Sequence, residues 1–267
     1  MNRSGLIVLR GDATGTVARL VAGIARLPVT MPAYALVGGV AVIARLATAH
    51  RSTQDVDTVA WSEDGGADAV IRLLVEAGGT KVADGVLLEG VEVDVIGVGD
   101  FEAADLEGLD TSDRAFVVSH RWALDTAEPV RISVVDEHHI EQAGADMRLA
   151  TPAALVAMKA GAIPRRRDEG RAKRASDVYD VYRLLRAHNP AGAVAGALSE
   201  APHGLAAWCA RQIRLLLGDE VERTARWLAV DGSPAMQAVA ADDLRAVGAL
   251  LIEDLQRTHP QSGDDTR

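Results

Sequence analysis

The chain has 267 residues, 48% of them hydrophobic and 25% charged, with a formal net charge of -10. That is enough apolar material for one large folded domain or two modest ones, and the acidic balance excludes a protein that coats DNA, because phosphate binding draws on clustered Lys and Arg. A single cysteine, Cys209, excludes an internal disulfide framework and a cysteine-based zinc site.

No apolar run is long enough to span a bilayer, and residues 1–5 lack the apolar segment of a signal peptide, so the expectation is a soluble, cytoplasmic protein with no membrane partner. Helical spacing covers residues 14–27, a short buried strand 34–37 and a second helix 39–49. A strand at 56–61 follows, then a helix at 67–77. Further strands are expected at 81–83, 86–88, 91–96 and 130–135, separated by loop-like clusters of Asp and Gly.

Beyond residue 150 the chain is rich in Ala and Leu with helical periodicity almost to its end. Thr151 as N-cap and Pro152 at the first helical position start a helix over 153–162, which Pro164 is expected to end. The next helix, 171–187, aligns Val178, Val181, Tyr182 and Leu185 as one apolar stripe with Asp177 and Asp180 beside it. Three or more helices follow. The reading is an α/β (α+β) chain: a mixed-sheet domain over 1–145, a helical domain over 146–260 and a disordered tail over 261–267.

Chemistry concentrates in two stretches of the front half. In the first, a strand ends at Gly38-Gly39 as a helix begins, and such a turn lets backbone N–H groups approach a phosphate at the favourable end of the helix dipole. One helix later, Arg51-Ser52-Thr53-Gln54-Asp55-Val56-Asp57 places two carboxylates on one face of a strand, where they can hold divalent metal together. The second stretch, Val91-Glu92-Val93-Asp94-Val95-Ile96, alternates so that Glu92, Asp94 and Ile96 share the face opposite the valines. Asp94 is then a third carboxylate on a neighbouring strand. Three aspartates so placed suit a two-metal centre for in-line displacement at phosphorus. A Gly-Gly pair alone marks a turn, and an Asp-x-Asp pair alone is ordinarily solvated surface; the combination in one α/β domain is what points to catalysis.

These residues resemble the nucleotidyltransferases related to DNA polymerase beta, and among them the AbiEii-like and MenT-like toxins of type IV toxin–antitoxin systems, over residues 33–185. The resemblance implies a nucleotidyltransferase-type sheet domain followed by a helical domain. It implies metal binding by Asp55, Asp57 and Asp94, with Mg2+ or Mn2+ as cofactor and an NTP as substrate. It also implies phosphate contact by Gly38, Gly39 and Arg51, a nucleotide-binding Lys159, and a downstream acid for which Asp177 is preferred over Asp180. The partners implied are a tRNA acceptor and a cognate antitoxin.

Read on its own terms, Lys159 is a solitary cation on a helix of Ala, Leu, Val and Met, either snorkelling at the rim or aimed into a site. Arg165, Arg166, Arg167, Arg171, Lys173 and Arg174 form the densest positive patch on the acidic chain and could grip RNA phosphates or simply be solvated. Aromatic residues make up 3% of the chain, which leaves little material for a base-stacking platform. The seven histidines show no metal-binding spacing, and His138-His139 is expected in a surface loop. No nucleophile elbow, Walker-type loop or dinucleotide fingerprint occurs. Competing readings are transfer to a small molecule or a protein, and a non-catalytic binding module of the same fold.

Overall fold

The computed structural model describes residues 5–27, 34–49, 53, 55–63, 67–83, 85–166 and 170–258. The expected tail, 261–267, lies outside them. The chain divides into two compact units, Met1–Leu155 and Val156–Arg267.

The first unit is organised by a sheet of eight strands among the described residues: β1 (Gly5–Arg10), β2 (Tyr34–Val37), β3 (Asp55–Trp61), β4 (Thr80–Lys81), β5 (Gly85–Leu88), β6 (Val91–Val98), β7 (Glu128–Val135) and β8 (Glu141–Leu149). Their spatial order is β1-β7-β8-β2-β3-β6-β5-β4. The sheet is mixed, as expected. β1 runs parallel to β7, β8 to β2 and β3 to β6, and the other neighbours are antiparallel. β2 sits in the middle, and Ala35, Leu36 and Val37 are wholly buried, which is what an apolar run without alternation requires. β6 alternates as the sequence predicts, with Val91, Val93 and Val95 buried and Asp94 half-buried.

Around this sheet lie α1 (Thr16–Ile24), α2 (Gly38–Leu46), α3 (Asp68–Glu76), α4 (Ala103–Glu107) and α5 (Thr111–Asp125). α2 ends earlier than residue 49 because Ala47 adopts a left-handed conformation, with φ 50°, and turns the chain away. β1, β8 and α5 are additions to the sequence reading. α5 starts at an Asp110 cap whose carboxylate accepts the N–H groups of Ser112 and Asp113, both at 2.8 Å.

α6 (Pro152–Arg165) opens as expected, with the Thr151 hydroxyl accepting the Ala154 N–H at 3.3 Å. Pro164 does not stop it but lies inside its last turn. The ring removes one terminal backbone bond, and the helix closes one residue later at Arg165.

The second unit continues with α7 (Arg171–His188), α8 (Ala193–Ser199), α9 (Leu205–Arg214), a π-helical turn at Leu215–Asp219, α10 (Val221–Asp231), α11 (Pro234–Gln237) and α12 (Ala241–Thr258). α12 packs on α7, α8, α9, α10 and the π-helical turn. Gly248 allows that approach, since a Cβ there would lie 2.7 Å from the Cβ of Leu217. A buried polar link ties α8 to α12: Asn189 donates to Asp254 at 2.8 Å and accepts the Ala195 N–H at 2.9 Å. No described helix is long and apolar enough to cross a membrane.

Candidate functional site

Parallel pairing of β3 with β6 sets Asp55 beside Glu92 and Asp57 beside Asp94. Because side chains two apart on a strand share a face, Asp55, Asp57 and Asp94 converge on one side of the sheet. Each is half-buried and offers a carboxylate oxygen, and these oxygens lie within 4.8 Å of one another. Three formal negative charges at that spacing repel, and a divalent cation, which takes oxygen ligands at about 2.0–2.6 Å, fits among them. The donor set therefore suits a hard divalent cation.

Thr58, which is 1% exposed, donates its hydroxyl to the backbone carbonyl of Asp94 at 3.0 Å and so locks the β3–β6 register where it matters. Thr53, buried just ahead of β3, donates to Oδ1 of Asp55 at 2.8 Å. Neither threonine was singled out in the sequence. Their hydroxyls become informative only once the two strands are aligned.

The glycine turn lies against the same group. β2 pairs antiparallel with β3 so that Val37 sits opposite Asp57, and Gly38 and Gly39 follow directly as the first residues of α2. The Gly39 N–H donates to Oδ2 of Asp57 at 3.3 Å. One of the N–H groups expected to cradle a phosphate thus meets a carboxylate of the triad. Arg51, the other expected phosphate contact, lies outside the described residues.

A cavity of about 340 Å3 borders Thr53, and Arg10, Asp12, Gly15, Thr16 and Ile43 also line it. The Asp12 carboxyl on its wall is held below the usual range by the side-chain and backbone hydrogen bonds of Thr14. At the far end of α2, Arg45 donates to the carbonyls of Ala150 and Leu149 at 2.8 and 2.9 Å and pairs with Glu128 at 2.9 Å.

The downstream residues gather within the second unit. Lys159 Nζ lies 2.7 Å from Asp177 Oδ1 and 3.1 Å from Asp180 Oδ2, and the Arg166 guanidinium contacts Asp177 Oδ2 at 2.5 Å. Asp177 and Asp180 are 1% and 0% exposed, so both acids lie inside the unit with a cation between them. Both belong to the same network.

The positive patch is less uniform than its sequence. Arg165, Arg171 and Lys173 are exposed, whereas Arg166 points to Asp177 and Arg174 lies over the Trp227 ring at 4.0 Å. Arg223 also reaches the Trp227 ring, at 4.9 Å. Arg167 lies outside the described residues. His138 and His139 fall in the exposed turn between β7 and β8.

A family model described as the nucleotidyl transferase AbiEii toxin of type IV toxin–antitoxin systems matches residues 19–249. No curated protein and no solved structure matches the chain.

Proposed function

The chain belongs to the AbiEii family of nucleotidyltransferase toxins of type IV toxin–antitoxin systems, and from that membership we propose that it transfers an NMP group from an NTP to an RNA acceptor, the 3′ end of a tRNA. The observation that carries this reading is the convergence of Asp55, Asp57 and Asp94, whose oxygens lie within 4.8 Å of one another on adjacent parallel strands. In the reaction the acceptor oxygen bonds to the α-phosphorus, the bond to the β-phosphate oxygen breaks, and pyrophosphate leaves as the hydroxyl proton is lost to solvent. A divalent cation, Mg2+ or Mn2+, supplies activation of the hydroxyl and charge neutralisation when bound to the triad.

The chain's own residues hold the geometry for that chemistry. Asp55 and Asp57 are fixed by their strand and by the Thr53 and Gly39 hydrogen bonds, and Asp94 by the strand that Thr58 locks. Gly38, Gly39 and Arg51 are proposed to meet the triphosphate. Lys159, Asp177 and Asp180 are proposed, within the second unit, as nucleotide-binding residues. Arg165, Arg171 and Lys173, exposed on the surface, are proposed to meet RNA phosphates. The antitoxin that such a system implies is the cognate protein partner.

The test is incubation of the purified protein with MgCl2 or MnCl2, each labelled NTP in turn and total tRNA. Label in the tRNA band is expected with at least one NTP. Label confined to protein or to an added aminoglycoside would move the acceptor to another class. No label in any fraction would contradict nucleotidyl transfer altogether.

A further inference from the structure

We propose that the glycine turn at the start of α2 is a seat for the Asp57 carboxylate, which makes Gly38 a positioning residue for a metal ligand as well as a neighbour of phosphate. This inference rests on the metal-site reading of the triad. Antiparallel pairing of Val37 with Asp57 hangs the aspartate side chain directly over the turn. A Cβ built on Gly38 would fall 1.7 Å from Asp57 Oδ2, 2.3 Å from its Cγ and 2.6 Å from its Cβ. The Asp57 Cβ is anchored to the β3 backbone, so that overlap cannot be relieved by rotating a flexible tip. Gly38 also has φ +65°, a conformation that side chains disfavour. Both the space and the backbone at residue 38 are therefore reserved.

The helix end supplies the other half of the seat. A helix leaves its first N–H groups without intrahelical partners, and at the residue that precedes α2, Val37, no side-chain cap forms. The Gly39 N–H instead donates across the strands to Asp57 Oδ2. Asp57 thus acts as an N-cap supplied from β3. A turn serving phosphate alone has no need of a missing Cβ pressed against a carboxylate. Thr53 plays the matching part for Asp55, with a buried hydroxyl 2.8 Å from Oδ1.

The direct experiment titrates Mn2+ into the full chain by calorimetry with no nucleotide present. Gly38→Ala is expected to weaken Mn2+ binding by about tenfold or more, as loss of a group that orients a metal ligand does. Thr53→Val should weaken it similarly, and Thr53→Ser should restore it. Unchanged Mn2+ affinity in Gly38→Ala, with only NTP affinity lost, would overturn the proposal in favour of a turn that serves phosphate.

A thermal double-mutant cycle covers the case in which Gly38→Ala folds poorly or the wild type takes up no Mn2+. The drop in melting temperature caused by Gly38→Ala should be smaller in an Asp57→Gly background, where the Cβ, Cγ and Oδ2 it would strike are all gone and only the backbone strain at residue 38 remains. Equal drops in both backgrounds would refute the seat. A wild type that binds no Mn2+ but shows the expected coupling would instead retire the metal reading and leave the seat standing.

Discussion

Lys159 stands between two buried carboxylates, and its removal isolates the consequence of that placement. Lys159→Met keeps the length of the side chain but leaves Asp177 and Asp180 without the cation they share. An uncompensated buried charge typically costs about 3–5 kcal/mol, so urea unfolding should show a loss near the lower figure, because Arg166 still reaches Asp177. A loss below about 1 kcal/mol would mean that these groups are not buried together. Cys209 gives a second check at this scale. Burial pushes its thiol up to about 12, so at pH 8 only about one part in ten thousand is thiolate, the reactive form. The native protein should leave a disulfide reagent unreacted, and one thiol per chain should appear on denaturation. Among single residues, Asp55, Asp57 and Asp94 were legible because strand alternation is a local rule. The need for glycine at 38 in front of Asp57, and the roles of Thr53 and Thr58, arise from pairing between distant segments. No local pattern encodes that pairing.

At the scale of elements, legibility followed the strength of local signals. β2, β3 and β6 are runs of apolar and β-branched residues and were found close to their observed limits. β8 reads Glu-Gln-Ala-Gly-Ala-Asp-Met-Arg-Leu, without one β-branched residue, and owes its extended form to its long antiparallel ladder with β7. Gly144 within it sits against Arg131 and Glu141, where a Cβ would meet the two side chains at 2.8 and 2.6 Å. α5 did carry a signal, its Asp110 cap followed by Ala115, Val118 and Trp122 on one buried face, which the neighbouring Asp and Gly clusters obscured. β1, an apolar run at an edge of the sheet, carries a local signal of the same kind. The clamp by which Arg45 ties α2 to the end of β8 belongs to this scale. Arg45→Met removes two hydrogen bonds to main-chain carbonyls and the pairing with Glu128, and should cost about 2 kcal/mol in a denaturant titration. A cost within error of zero would show that the clamp adds nothing to the helix's anchorage.

For the whole molecule, a net charge of -10 means that the proposed RNA acceptor meets a local surface working against the overall field. The positive sequence run overstates that surface, since Arg166 and Arg174 are committed to Asp177 and Trp227. Replacing exposed Arg165, Arg171 and Lys173 together by Ala should lower the slope of log affinity against log salt by up to about 2, at roughly 0.7 per single-strand phosphate contact. An unchanged slope would remove this face from acceptor binding. The change from sheet to helices along the chain was legible in composition, because Ala- and Leu-rich helical spacing replaces β-branched runs. Nothing in that change of composition encodes the burial of Asp177 and Asp180, since acids on a helix are ordinarily solvated.

A metal centre built from Asp55, Asp57 and Asp94 is tested by comparing wild type with Asp57→Asn in NMP transfer to tRNA, each with magnesium and with excess EDTA. The expected result is label only in the wild type with magnesium, together with an unfolding curve for Asp57→Asn that shows the variant is folded. Label that persists in Asp57→Asn, or in the wild type under EDTA, would contradict the assignment.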